Sequence, residues 1–360
     1  MDFMKSPSVI VAHLAGSRAY GTQTAASDTD IRGIFVTPQK VYRTPFFNGV
    51  TELTIPDEED TKLFELRNFM LLCSRGSPNV IETLWVDKSD VLKSSPEYEL
   101  LRNHRDLFSS KMMIDSLVRF ARGSVYQIKN YKEAESMVEP KQIHFMSLVA
   151  SLKDPLLNKK NFDIGQFANG YLFAHFGNRI YGAYRAPDVS GFSPDMSIKK
   201  IPLGHSAITG KEPEFIFKFN QEDYERKRDV WKGVQQRAIE GSTARQVMKD
   251  KFGYDTKDGL HIVRLLRMTE EFAETGQLIV KRPDAEELKA VREQGTYSIQ
   301  ALSDYAEQVS ERMNARLPTL NLPDEPDYER LADLTIRLQD MNQKRVILSE
   351  LSHQADKAPR

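Results

Sequence analysis

The most constraining feature of this chain is an apolar run followed by a glycine–serine turn and two closely spaced aspartates. Residues 9–14 (VIVAHL) predict a buried strand, and the turn at Gly16 and Ser17 follows it directly. Asp28 and Asp30 flank Thr29 where a second apolar segment begins. Because side chains two apart in a strand share a face, we expect both carboxylates to project together, with their Cα atoms about 6.5–7 Å apart.

This arrangement predicts a site for a metal and a phosphate group. Two carboxylates at such a distance repel each other unless a positive charge lies between them, and Mg²⁺ binds in proteins through one or two carboxylates together with substrate phosphates. A short helix predicted over Ser17–Gly21 would offer free N–H groups to a phosphate. Either half alone is also typical of an ordinary turn or helix cap. Their combination in this order favours a metal–triphosphate site.

The run GSRAYGTQTAASDTDIRG resembles the signature of the DNA polymerase β nucleotidyltransferase superfamily. More narrowly, it is similar to predicted nucleotidyltransferases of bacteria and phages, some of which accompany RNA ligases in RNA-repair gene sets. The residues that match this pattern are Gly16, Ser17, Tyr20, Gly21, Ser27, Asp28, Asp30 and Gly33.

The resemblance implies an α+β fold. A polymerase-β-like nucleotidyltransferase domain, with a mixed sheet and helices, would be joined to a mainly α-helical second domain, with the active site between them. The implied cofactor is Mg²⁺, with Mn²⁺ as a substitute, and the implied substrate is a nucleoside triphosphate (NTP). The implied nucleotide-binding residues of the first motif are Gly16, Ser17, Arg18, Tyr20, Gly21, Ser27 and Arg32.

Sites of this kind use a third carboxylate from a neighbouring strand, and the sequence offers two candidates. Asp60 stands at the start of a strand predicted over residues 61–64. Glu65 stands where a helix predicted over Leu66–Ser74 would have its N-terminal cap. We favour Asp60, so that Asp28, Asp30 and Asp60 form the predicted catalytic and metal-binding set.

The two arginines of the first motif each have two interpretations. Arg18 either contacts a phosphate or is a solvated helix side chain. Arg32, two residues beyond Asp30, either meets the carboxylates and the triphosphate or forms a purely structural ion pair.

A second informative stretch covers residues 253–293. Asp255 or Thr256 caps a predicted helix, in which Lys257, His261 and Arg264 recur along one stripe. Buried cations need partners, which either an acidic metal–triphosphate pocket or a ring of salt bridges to neighbouring glutamates would supply. The family resemblance extends to this stretch and favours the pocket. The matching residues are Gly253, Tyr254, Asp255, Lys257, His261, Arg264, Arg267, Gly276, Arg282, Pro283, Asp284 and Ala285.

The predicted organisation has three parts: a nucleotidyltransferase domain over 1–108, a helical domain over 109–316, and a final helix with a basic tail over 317–360. Within the second part we predict helices over 145–152 and 161–175, an irregular loop over 177–213 and a strand over 214–220. The loop interleaves basic and aromatic residues, which indicates either nucleic-acid contacts or a packed irregular loop.

Composition limits the classes of protein to consider. The chain has 360 residues, a net charge of −1 and one cysteine, Cys73, which we expect to be a buried thiol. A protein governed by nonspecific nucleic-acid binding is usually basic, so any basic surface here is local. Without a long apolar run or a signal-peptide pattern, we expect a cytoplasmic protein with no membrane partner.

The sequence thus predicts a metal-dependent enzyme that moves a nucleoside monophosphate from an NTP to an acceptor hydroxyl with release of pyrophosphate. An RNA or tRNA end is the leading acceptor. The alternatives are a toxin-like enzyme that adenylylates protein and a non-catalytic module that binds nucleotide or RNA.

Overall fold

A computed structural model gives the structure of residues 3–25, 27–46, 48–55, 60–129, 137–154, 156–157, 159–160, 162–240 and 243–357. The chain forms two compact units, one made of residues 1–129 with 243–360 and the other of residues 130–242. Residues 109–129 and the C-terminal segment both belong to the first unit, and the domain boundaries at 108 and 316 stay a prediction. None of the helices in the described ranges is long and apolar enough to cross a membrane.

The first unit contains a mixed five-stranded sheet. Its strands are β1 Val9–Leu14, β2 Ile31–Phe35, β3 Glu52–Thr54, β4 Thr61–Glu65 and β5 Val91–Ser94. Their order is β3-β4-β2-β1-β5, and β2 and β4 are parallel whereas the other neighbours are antiparallel. The predicted strands at 9–14 and 61–64 are confirmed. Residues 9–13 of β1 are buried, and in β2 Ile34 and Phe35 are buried, as apolar runs predict.

The helices of both units carry one numbering. In chain order they are α1 Gly16–Tyr20, α2 Gln39–Arg43, α3 Leu66–Ser74, α4 Pro78–Ile81, α5 Pro96–Asn103, α6 Lys111–Lys129, α7 Gln221–Glu240, α8 Thr243–Phe252, α9 Thr256–Thr275, α10 Ala285–Gln294, α11 Ile299–Arg316 and α12 Tyr328–Lys357. The helix predicted at 66–74 is confirmed, and so is the buried thiol of Cys73. With helices added to mixed sheets, the predicted α+β class is confirmed.

The helix α9 runs through the core of the first unit beside α6, α10 and α11. Asp255 caps it by accepting a hydrogen bond from the Lys257 backbone N–H, and Gly276 ends it in the left-handed conformation. Gly259, an unfavourable residue inside a helix, is explained by packing, because a Cβ there would lie 2.8 Å from the Tyr254 ring. The predicted helix and its cap are therefore confirmed.

The second unit is built on a sheet where the sequence predicted helices. Its strands are β6 Met146–Ser151, β7 Asn169–Gly177, β8 Ile180–Ser190, β9 Lys200–Ile201 and β10 Phe215–Phe219, in the order β6-β10-β8-β7-β9. The predicted helices at 145–152 and 161–175 are wrong, whereas the strand at 214–220 is confirmed. Short apolar runs do not distinguish strand from helix by periodicity alone, and pairing with β10 and β8 decides the outcome.

The predicted irregular loop at 177–213 is also wrong in its first part. Asn178 and Arg179 both have positive φ, +48° and +62°, and form a tight hairpin turn between β7 and β8. Tyr181 and Tyr184 are buried in two apolar clusters of this unit. The aromatic residues of this segment are therefore mainly packing residues.

Candidate active site

The parallel pairing of β2 with β4 brings two aspartates to the same edge of the sheet. Ile31 pairs with Thr61, and Asp30 and Asp60 immediately precede these residues. Asp28, Asp30 and Asp60 each offer a carboxylate oxygen, and these three atoms lie within 4.8 Å of one another. Because β2 begins only at Ile31, Asp28 and Asp30 lie in the segment before the strand rather than within it, which corrects the expected location.

The three carboxylates concentrate negative charge in a partly desolvated place. Burial raises the pKa of Asp30, the positive charge of Arg32 opposes this rise, and Asp28 and Asp60 add to it. Lys257 also favours the ionised form of Asp30. An all-oxygen donor set of this charge fits a hard divalent cation such as Mg²⁺.

The glycine–serine turn packs directly against one of these carboxylates. Gly16 has φ +58°, and a Cβ atom there would lie 2.1 Å from Oδ2 of Asp30. The backbone N–H of Ala15 donates to the Asp30 carbonyl at 2.8 Å. Glycine is therefore required at position 16 both for its backbone conformation and for the space that Asp30 occupies.

Of the two candidates for the third carboxylate, only Asp60 joins the cluster. It has φ +31°, an uncommon conformation for a residue other than glycine and one that often occurs at functional sites. Glu65 is buried instead, and its side chain accepts hydrogen bonds from the backbone N–H groups of Arg67 and Asn68 at the start of α3.

The two arginines hold the segments that carry the aspartates. Arg18 donates to the carbonyl oxygens of Asp28 and Ser27 at 3.2 and 3.3 Å. Arg32 donates to the carbonyl oxygen of Asp60 at 2.6 Å. Ser27 completes the turn before Asp28, since its Oγ accepts a hydrogen bond from the Thr24 backbone N–H at 2.9 Å.

A cavity of about 300 Å³ lies beside the carboxylates within the first unit. The predicted residues on its wall are Gly16, Tyr20, Asp30, Arg32, Asp60, Lys257 and His261. The segment 79–86 forms another part of the wall with Asn79, Glu82, Thr83 and Val86. The structure therefore brings the first motif and the start of α9 together around one space.

Arg264, the third cation of the predicted stripe, is buried rather than placed on this wall. It is 2% exposed, forms an ion pair with Glu82, and lies over the Tyr20 ring. The Tyr20 hydroxyl donates to the same carboxylate at 2.8 Å. The partner of this buried cation is therefore Glu82, rather than the three aspartates or the neighbouring glutamates of α9.

Three of the remaining matches in the second stretch, Arg267, Arg282 and Asp284, form an ion network. Arg267 and Arg282 both bind Asp284, and Arg282 also binds Glu271 at 2.7 Å. The Arg282 backbone N–H donates to the Tyr20 carbonyl at 3.1 Å, next to Gly21, which ends α1 with φ +75°. These residues fix α1 against the segment before α10.

Among the wall residues that sequence reasoning missed are two that contact each other, His13 and Thr83. His13 and Thr83 are 4% and 2% exposed, and His13 Nε2 lies 3.1 Å from Thr83 Oγ1. Burial lowers the pKa of His13 to about 4, so its ring is neutral at pH 7. The usable signal was the position of His13 near the end of β1, shortly before Gly16 of the predicted phosphate site.

Comparison with known proteins gives a family match over the N-terminal part of the chain. No curated protein and no solved structure gives a significant match. Residues 4–149 match the model of one family, RlaP, described as the RNA repair pathway DNA polymerase beta family. This match spans the positions of all three aspartates and confirms the resemblance found in the first motif: residues 4–149 are similar to a nucleotidyltransferase family of the DNA polymerase β superfamily.

Proposed function

We propose that this protein transfers a nucleoside monophosphate from an NTP to an acceptor hydroxyl. The observation that carries the proposal is the convergence of the Asp28, Asp30 and Asp60 carboxylates beside a cavity that Lys257 also lines. A site with three carboxylates and adjacent cations suits a metal-bound triphosphate.

The three aspartates are the residues that would hold the metal. Bound there, Mg²⁺ or Mn²⁺ would neutralise the triphosphate and lower the pKa of the acceptor hydroxyl. The raised pKa of Asp30 supports this assignment, because a further positive charge near its carboxylate would relieve the repulsion from Asp28 and Asp60.

Residues of the chain bind and orient the rest of the nucleotide. The backbone at Gly16 and Ser17 receives the β- and γ-phosphates, and Lys257 and His261 supply hydrogen-bond donors from the start of α9. Arg18 and Arg32 act through the backbone carbonyls that they hold, which keeps the three carboxylates aligned. Arg264 positions α1 through Tyr20.

The reaction is an in-line displacement at the α-phosphorus. The acceptor oxygen forms a bond to that phosphorus while the bond to the bridging oxygen breaks, and pyrophosphate leaves with that oxygen. The proton of the hydroxyl passes to the solvent. We propose an RNA end as the acceptor, because the description of the matching family names an RNA repair pathway.

The test is incubation of the protein with each α-labelled NTP, Mg²⁺ and RNA. We expect label in RNA, and none with the double variant Asp28→Asn/Asp30→Asn, whose circular dichroism should match that of the wild type. Asp115→Asn, which removes an exposed carboxylate on α6, is the matched control and should stay active.

Each other outcome has a defined meaning. Label in protein would replace RNA as the acceptor and leave the transfer reaction in place. Full activity of the double variant, or no transfer with any NTP, would refute the proposed mechanism.

A further inference from the structure

The hydroxyl of Thr83 has a fixed direction because His13 is held in one tautomer. His13 Nδ1 lies 2.7 Å from the Leu14 carbonyl oxygen, which can only accept a hydrogen bond. Nδ1 therefore carries the proton, and in the neutral ring Nε2 is left as an acceptor. The Thr83 hydroxyl lies 3.1 Å from Nε2 and must donate its single proton there.

Towards the cavity, Thr83 consequently offers only lone pairs. Its backbone is held as well, since the Tyr98 hydroxyl donates to the Thr83 carbonyl at 2.7 Å. The neighbouring Glu82 lines the same cavity, and its carboxylate likewise accepts hydrogen bonds, from Tyr20 and Arg264. The wall residues Glu82 and Thr83 thus both carry hydrogen-bond acceptors.

Phosphate oxygens are also acceptors, so they cannot form hydrogen bonds with this part of the wall. In ATP, the groups of the nucleoside that can donate are the ribose hydroxyls and the exocyclic amine of the base. The nearby side chains Val86 and Val280 offer apolar surface suited to a nucleoside.

We infer that Thr83 and Glu82 form the nucleoside end of the cavity and select nucleotides by a hydrogen-bond donor, either the ribose diol or the base amine. The inference rests on the proposed function, since it assumes that the cavity receives an NTP. Thr83, whose hydroxyl donates its proton to the buried His13, thereby determines selectivity for the sugar or the base.

The experiment measures equilibrium binding of ATP, with Ca²⁺ in place of Mg²⁺ to prevent turnover. Three analogues each lack one donor: 2′-deoxy-ATP, 3′-deoxy-ATP and purine riboside triphosphate. We expect the wild type to bind ATP about 2- to 10-fold more tightly than at least one analogue, as for one lost hydrogen bond. The deoxy analogues report on the ribose, and the purine analogue reports on the base amine.

Thr83→Val keeps the shape of the side chain and removes the acceptor, so it should abolish that difference by weakening ATP binding. Thr83→Ser keeps the hydroxyl and should preserve the difference in affinity between ATP and the analogue. Thermal melting of each variant controls for folding. His13→Leu provides a second test, because it frees the Thr83 proton and should reduce the same difference while the hydroxyl stays in place.

A difference that survives in Thr83→Val, or is absent from the wild type, would overturn the inference. If the wild type still transfers label from an NTP in that case, the proposed function stands and only the inference fails. If no nucleotide binds, both fail.

Discussion

The guanidinium carbon of Arg264 lies 3.7 Å from the centre of the Tyr20 ring, and both side chains bind the carboxylate of Glu82. All three groups are buried, so solvent screens the charges of Arg264 and Glu82 only a little. This contact joins α9 to α1, the short helix that follows the glycine–serine turn. It explains how a residue outside the cavity wall can influence the proposed phosphate end of the site.

Arg264→Ala should be strongly destabilising because it leaves the Glu82 carboxylate buried without a cation. We expect the free energy of unfolding to fall by about 3–5 kcal/mol, measured by urea denaturation. Arg119→Ala, which breaks an exposed ion pair with Asp115, is the control and should change it by less than about 1 kcal/mol. Equal effects of the two substitutions would contradict a structural role for the buried pair.

Gly16→Ala should disrupt the metal site beyond its effect on stability. Its Cβ would lie 2.1 Å from Oδ2 of Asp30, so that carboxylate has to move. Gly276→Ala is the matched control, since Gly276 has φ +69° and no atom within 4 Å of the added Cβ. The left-handed backbone should cost each variant about 1–2 kcal/mol.

The measurement for this pair is the rise in melting temperature on addition of Mg²⁺. We expect the rise in the wild type and in Gly276→Ala, because a ligand that binds the folded state stabilises it. In Gly16→Ala we expect no such rise. A normal Mg²⁺ response in Gly16→Ala would show that the metal does not depend on the position of Asp30.

His13 should make the protein less stable in acid. The pKa of His13 is lowered from 6.5 to about 4 in the folded state. Between these values the unfolded chain binds more protons than the folded chain, so the free energy of unfolding decreases as the pH is lowered. Relative to the wild type, His13→Leu should therefore gain up to about 3 kcal/mol in the free energy of unfolding between pH 7 and pH 4.

Urea denaturation across this pH range measures the effect. His144→Leu, at an exposed histidine of the second unit, is the control and should follow the wild type. Parallel profiles for His13→Leu and the wild type would mean that His13 is not held neutral by burial.

Several parts of this architecture are predictable because their causes are local. The apolar run of β1, the turn at Gly16 and the helix at Leu66–Ser74 follow from adjacent residues. Asp255 as a helix cap is equally local. The second unit was mispredicted because strand formation there depends on cross-strand packing: β6 pairs with β10, which is distant in sequence, and β7 pairs with β8 across the turn at Asn178 and Arg179.

By itself, the sequence determined the chemistry of the first motif: a glycine–serine turn, two aspartates two residues apart and a family resemblance that the comparison confirms. Only the tertiary structure decided which distant groups join them. The parallel register of β2 and β4 selects Asp60 over Glu65, and burial directs Arg264 to Glu82 rather than to the cavity. The physical reason is that strand register and the pairing of buried charges are set by contacts between segments, which local sequence does not encode.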